Sequence, residues 1–302
     1  MKIKGSLIVG VSCIILPFIL IAMYDSMPKN YYDLVKKHLD EISDTRDEII
    51  VSSTALEIQR EKDSLYYIDE SNHFVCRKNG DEEVQIEQVF SFLIYEGDIY
   101  YTKMKTEGIY CRENGKAEEK KVWDKEVSMF AVGADEEIIC TEKEIICFDR
   151  QWKEKRKYKL KQPLKKIMGG DCKYIYADHC LLFCSPEGGI FCYSIPQNEM
   201  KPLRVPIPRE STEKEVISDI VKRGRTVYYM TCLCEPSDLY TRDNIIKTPK
   251  NGVYQVGIET GKFKKVSDDC GFYFLSLQDR LCIADSGLLF ARLWECTLEE
   301  GE

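Results

Sequence analysis

The sequence predicts an all-β chain: a six-bladed β-propeller of four-stranded antiparallel blades, preceded by an N-terminal transmembrane helix and a short amphipathic helix. Three observations predict it. A twenty-residue uncharged run lies near the start, no long helical period survives from Ile49 onward, and short strand-like segments recur there six times in the same order. The boundaries that follow are 1–25 for the anchor, 26–48 for a helical stalk and 49–302 for the propeller.

The run from Gly5 to Tyr24 covers roughly 30 Å at helical rise, the thickness of a bilayer's hydrocarbon core. A cleaved signal peptide would also begin with Lys2, Lys4 and an apolar stretch. Its cleavage site is missing, because Ala22 has Leu20 two places before it and Ser26 has Tyr24, where small residues are required. Lys2 and Lys4 on one side stand against Lys29, Lys36 and Lys37 on the other, so charge barely decides orientation. A short tail held inside with the long domain translocated is the expected arrangement. It makes the chain a single-pass protein of the cell membrane, spanning through residues 5–24, with its domain on the extracytoplasmic side; a cytosolic domain is the alternative.

After Pro28, the segment from Asn30 to Glu48 places Tyr32, Val35, Leu39 and Ile42 on one helical stripe. The stripe is too short for an independent coiled coil and is expected to pack on the domain that follows.

The repeat is clearest in its first two copies. Leu65-Tyr66-Tyr67-Ile68 leads to Phe74-Val75-Cys76 and then Asn79-Gly80; Ile99-Tyr100-Tyr101-Thr102 leads to Ile109-Tyr110-Cys111 and then Asn114-Gly115. Later copies run from Ile138-Ile139-Cys140 to Ile145-Ile146-Cys147, and from Leu181-Leu182-Phe183 to Ile190-Phe191-Cys192. A fifth runs from Val227-Tyr228-Tyr229 to Val253-Tyr254-Gln255 and a sixth from Leu281-Cys282-Ile283 to Leu289-Phe290-Ala291. The anchors Cys76, Cys111, Cys147, Cys192, Gln255 and Ala291 are separated by 35, 36, 45, 63 and 36 residues. The short intervals fit one four-stranded sheet each, with Asn-Gly turns supplying positive φ between third and fourth strands. Unbroken apolar runs fit sheets buried on both faces, as stacked blades are. Ile49 to Ser53 is an extra strand-like run before an inner strand at Leu56 to Arg60. Given to the last blade, it would close the ring and remove two free edges.

The strand-turn pattern Gly97-Asp98-Ile99-Tyr100-Tyr101 and Gly108-Ile109-Tyr110 resembles the repeats of bacterial domains of unknown function related to the low-density-lipoprotein-receptor-type propeller. Such domains are common behind a single N-terminal membrane segment in Gram-positive anaerobes. The resemblance covers most of residues 54–295 and implies a fold and a surface location; none of its motifs is catalytic.

Charge and reactive residues narrow the function. Of 43 Lys and Arg, two precede the apolar run, leaving 41 basic against 51 acidic residues, which argues against a nucleic-acid binder. Four of the fourteen cysteines recur at one place in the repeat and read as small buried packing residues. Cys232 and Cys234 are the best candidates for thiol chemistry, sharing one face of a strand where a mutual disulfide is poor. Neither they nor His179-Cys180 with Cys184 complete a zinc set. With only His38, His73 and His179, and no nucleophile elbow or phosphate loop, no catalytic residues, metal ligands or cofactor are assigned.

One stretch breaks the repeat: Thr231 to Asn251, inserted between the second and third strands of the fifth copy. Glu235, Asp238, Tyr240, Arg242 and Asp243 mix an aromatic ring with both charges, as a contact loop does. The expected function is a membrane-tethered binding or scaffolding module for a protein or cell-envelope ligand. The alternatives are a hydrolase or lyase with a metal held by carboxylates in the central channel, and a sensor whose ligand state passes through the stalk.

Overall fold

In the computed structural model, the described residues are 37–38, 41, 49–52, 58–69, 71–79, 81–133, 136–168, 173–177, 179–184, 189–207, 214–223, 226–236, 242–277, 280–285, 292–296 and 298. The chain is an all-β propeller of four-stranded antiparallel blades. Its first strand, β1 (Ile49–Ser52), precedes the blades.

Blade 1 contains β2 (Ile58–Glu61), β3 (Ser64–Ile68), β4 (Phe74–Lys78) and β5 (Asp81–Ile86). Blade 2 contains β6 (Val89–Tyr95), β7 (Asp98–Lys103), β8 (Thr106–Arg112) and β9 (Glu119–Trp123). Blade 3 contains β10 (Met129–Val132), β11 (Glu137–Cys140), β12 (Glu144–Phe148) and β13 (Glu154–Lys159). A one-turn helix, α1 (Leu164–Met168), leads to blade 4, built from β14 (Lys173–Ala177), β15 (Cys180–Cys184), β16 (Ile190–Ser194) and β17 (Glu199–Leu203). Blade 5 contains β18 (Glu215–Arg223), β19 (Thr226–Cys234), β20 (Gly252–Gly257) and β21 (Lys262–Ser267). The last sheet has β22 (Tyr273–Leu277), β23 (Arg280–Asp285) and β24 (Arg292–Glu295).

Within each blade the strands pair antiparallel in chain order. Burial falls from the inner strands outward. All four residues of β10 and of β11 are buried, as are all five of β15, whereas the outer strands β5, β9 and β13 are mostly exposed and charged. Inner positions are covered on both faces by neighbouring blades, so they are mostly apolar, with buried Glu137 and Asp219 as exceptions. Outer strands offer an open edge, and their Lys and Glu side chains oppose edge-to-edge pairing.

The Gly-x-Tyr element has a steric cause. Gly108, the third residue of β8, and Gly252, the first of β20, lie at φ 105° and 143°, and a Cβ there would overlap the backbone oxygens of Trp123 and Ser267 on the outer strands. Each is followed at once by a register shift, at Ile109/Tyr110 and at Val253/Tyr254. The glycine admits the outer strand and the bulge turns it. In the Asn-Gly turns, Asn79 (φ 54°) and Gly115 (φ 73°) supply the expected left-handed conformation.

Two sequence expectations are corrected. Among the described residues five blades, not six, carry four strands. The last sheet has three, and its third strand is Arg292–Glu295, while Leu289-Phe290-Ala291 lies outside the described residues. β1 does not complete that sheet either. It pairs antiparallel with β14, Ile49 opposite Tyr176 and Ser52 opposite Lys173, on the inner side of blade 4, where it also approaches β6 and β10.

The predicted anchor, residues 1–25, lies outside the described residues, as does most of the predicted stalk. Among the described residues no helix is long and apolar enough to cross a membrane. From the stalk, His38 Nδ1 lies 2.9 Å from Glu41 Oε1, and Arg280 donates to Glu41 Oε2 at 2.6 Å, so residue 41 sits against the last sheet.

Candidate functional site

The chain departs from the repeat after β19. β18 and β19 pair over nine positions, from Arg223 opposite Thr226 to Glu215 opposite Cys234. The first four residues of the predicted insertion, Thr231 to Cys234, are therefore strand, and the extra segment is 235–251. It returns through a 3-10 turn, Arg242–Asn244, and closes on the end of β19. Ile245 bridges Cys234, Glu235 N donates to Asn244 O at 2.9 Å, and Ile246 N donates to Leu233 O at 2.9 Å.

Asn251 locks this base. Its Oδ1 accepts from Leu233 N at 2.9 Å and its Nδ2 donates to Ile246 O at 2.7 Å, with only 5% of the residue exposed. A buried amide that satisfies one donor and one acceptor on two different segments fixes both. Nearby, Tyr254 donates to Lys250 O at 2.7 Å and Lys265 Nζ to Pro249 O at 2.9 Å, which holds the outgoing half of the loop on blade 5.

Between this half and the connection from β21 to β22 lies a pocket of about 330 Å³. Ile245, Lys247, Thr248 and Asn251 line one side, and Asp268, Asp269 and Cys270 the other. Asp268 is ion-paired with Lys265, and Ser267 Oγ donates to Asp269 Oδ2 at 3.1 Å. The pocket thus presents an ammonium, two carboxylates, a hydroxyl, an amide and a thiol around one aliphatic side chain. Its size lies at the small end of ligand cavities, suited to one or two side chains of a partner.

Glu235 is exposed and ion-paired with Lys214, and Asp243 is exposed in the 3-10 turn. Arg242 lies in that turn; its side chain, with Asp238 and Tyr240, is outside the described residues. Of the two whose side chains are described, neither Glu235 nor Asp243 lines the pocket. Lys247, Thr248 and Asn251 sit in the same insertion but went unmarked in sequence, since Thr-Pro-Lys-Asn-Gly reads as turn punctuation. Asp268 and Asp269 carried no signal among 51 acidic residues.

The opposite face carries a second polar region. In an antiparallel blade, the connections from first to second and from third to fourth strands share one end, opposite the connections that form the pocket. There, a groove of about 570 Å³ between blades 1 and 2 is lined by Glu61, Lys62, Asp63, Lys78, Glu96 and Asn114, among others. Beside it, Arg150 donates to Glu96 at 3.2 Å and to Gly133 O at 3.3 Å, and its guanidinium lies 4.6 Å from the Tyr95 ring centroid. Its charge stands 3.9 Å from Glu137, which is 1% exposed; burial pushes that carboxyl up to about 7, against the opposing pull of Arg150. Further round, Glu136 Oε1 accepts from Tyr176 at 2.7 Å and lies 3.0 Å from His179 Nδ1. This is a surface cluster between blades 3 and 4 that sequence spacing did not join. Among the described residues no group of three or more His, Cys, Asp or Glu is placed to hold a metal ion.

No family model matches the chain, and no curated protein matches it. Solved structures similar to it include the CNH domain of AfRom2, at 12% identity over 83% of this chain and 96% of that one, with a TM-score of 0.41. The N-terminal domain of Nup159 matches at 10% identity over 87% and 78%, with a TM-score of 0.45. The extracellular domain of a putative one component system, BT4673 from B. thetaiotaomicron, matches at 9% identity over 80% of this chain and 32% of that one, with a TM-score of 0.47. The propeller assignment rests on the strand order itself.

Proposed function

We propose that this propeller is a binding and scaffolding module for a protein ligand, or a ligand of the cell envelope, and that the insertion between β19 and β20 makes the contact. The observation that carries the reading is the construction at the insertion's base: Asn251 and the Cys234–Ile245 bridge hold a loop of mixed charge beside a small pocket. Loops set on a rigid scaffold are where recognition concentrates. The apolar run from Gly5 to Tyr24 supports tethering to the cell membrane with the propeller on the extracytoplasmic side, as the resemblance to membrane-anchored bacterial propellers also implies.

The test replaces residues 236–243 with a short Gly-Ser link, which keeps the Ile245–Asn251 base. Proximity labelling from the anchored protein in its own cells is expected to lose a defined set of neighbours, while thermal unfolding is unchanged. The same neighbours captured with and without the loop would sink the reading. Protease treatment of intact cells tests the placement, and a fully protected propeller would overturn it.

A further inference from the structure

The twelve cysteines among the described residues are thiols outside any disulfide, and ten of them are buried. In two pairs one thiol pushes its neighbour's titration up, Cys192 beside Cys180 and Cys232 beside Cys270, and Cys270 packs against the apolar cluster that holds Met230, Val253 and Phe274. The first pair is enclosed in one sheet: Cys180 faces Ser194 and Cys192 faces Leu182 across the β15–β16 ladder, and both are buried. The second joins two elements. Cys232 is a buried residue of β19, whereas Cys270 is half-buried on the β21–β22 connection and lines the 330 Å³ pocket.

Neighbouring contacts fix this juxtaposition independently. Gly271 N donates to the Met230 sulfur at 3.3 Å, and Met230 lies two residues before Cys232, on the same face of β19. Phe274 N then donates to Asp219 Oδ2 at 2.6 Å, and Asp219 stands opposite Met230 in the β18–β19 ladder. The connection therefore runs along the face of blade 5, Cys270 meeting Cys232 as Gly271 meets Met230. The Cys232 thiol donates to Leu233 O at 3.8 Å, and that of Cys234 to Glu215 O at 3.6 Å.

We propose that Cys232 and Cys270 are a modification site, a dithiol that small disulfides oxidise reversibly through the pocket, cross-linking blade 5 to the connection into the last sheet. Cys270 reacts first, because it alone of the two opens on the pocket. Its thiolate attacks one sulfur of a low-molecular-weight disulfide such as oxidised glutathione, releasing one small thiol and leaving a mixed disulfide. Cys232, giving its proton to solvent, attacks the Cys270 sulfur and expels the second small thiol. Two protein thiols lose two protons and two electrons, and one small disulfide becomes two thiols. The neighbouring Cys270 and burial hold Cys232 as the neutral thiol, so the second step is the slow one.

The experiment uses the full-length reduced protein in buffers of graded ratios of reduced to oxidised glutathione, then alkylation and peptide mapping. The expected result is one linked peptide joining Cys232 to Cys270, rising with the oxidised fraction and reversed by dithiothreitol, while Cys180 and Cys192 are recovered as thiols. Persistent mixed disulfide on Cys270, or free Cys232 at the most oxidising ratio, overturns the proposal. In Cys232→Ala, Cys270 is expected to stall as the glutathione adduct, and an unmodified Cys270 would count against it. Should that variant fail to fold, Cys270→Ser keeps the test: Cys232 is expected to stay a free thiol, and its capture by another cysteine overturns the assignment.

Discussion

Blades 1 to 4 hold sheet against sheet in one way, and blade 5 holds the last sheet in another. In the first group, aromatic pairs cross each gap: Phe74 meets Phe92 edge-on at 4.7 Å, Trp123 meets Phe148 at 5.6 Å and Tyr158 meets Tyr193 at 5.3 Å. Polar latches there accompany the rings, such as Gln59 Oε1 accepting from Ile94 N at 2.6 Å and Arg112 donating to Gln85 Oε1 at 2.7 Å. Between blade 5 and the last sheet the fasteners are a doubly used carboxylate and sulfur. Asp219 accepts from Phe274 N across the gap at 2.6 Å and from Ile220 N in its own strand at 2.7 Å, beside Met230 and the Cys232–Cys270 pair. The two regions differ in what crosses the gap, aromatic rings in one and a buried carboxylate with sulfur in the other.

The contrast is broken most severely at Asp219. Asp219→Ala leaves two buried N–H groups without that acceptor and is expected to cost about 4 kcal/mol in urea unfolding, with Asp219→Asn recovering part of it. A loss under 1 kcal/mol would mean that the last sheet is not latched by this carboxylate.

Glu137 gives the next effect, on the aromatic side of the molecule. Its carboxyl titrates at about 7 when folded and near 4.5 when free, so the folded chain holds the extra proton between those values. The stability it contributes is full below about pH 4.5 and is lost as pH rises through about 7, by up to about 3 kcal/mol. Glu137→Gln should therefore flatten the difference in stability between pH 5 and pH 8 relative to the parent protein. Parallel curves for the two proteins would contradict the burial argument.

Gln59→Ala removes one acceptor rather than two, and about 2 kcal/mol is expected, measured as for Asp219. An equal loss at both positions would erase the distinction between the two regions. The smallest effect is at the insertion, where Glu235→Ala breaks an exposed pair with Lys214. It should cost less than about 1 kcal/mol and vanish in high salt, leaving any larger consequence to ligand capture.

Much of the propeller was legible because burial on both faces forces unbroken apolar runs. The central strands of the first five repeats fall where Tyr66-Tyr67, Tyr100-Tyr101, Ile138-Ile139, Leu181-Leu182 and Tyr228-Tyr229 placed them. The repeat cysteines also behave as packing residues. Cys111, Cys147 and Cys192 are buried and Cys76 half-buried, and burial pushes the thiols of Cys111 and Cys147 up to about 11, which keeps them protonated and inert. What escaped were pairings that carry no composition. β1 joins β14 through backbone groups that every residue has. Asp219 is one carboxylate among many until Phe274 N is seen to need it. Cys270 stood outside the repeat, 38 residues from the thiol it meets, and no spacing rule connects two such positions. The pocket followed the same logic: its insertion was visible as a break in the repeat, its lining only as a fold.

The seating of β1 also decides how the molecule would take a pull. Tension arriving from the N-terminal side meets the Glu41–Arg280 pair first, an exposed ion pair that yields at little cost. Behind it stands the ladder between β1 and β14, on the inner side of blade 4. Load would then enter the ring at its hub and leave the charged outer strands at the rim slack.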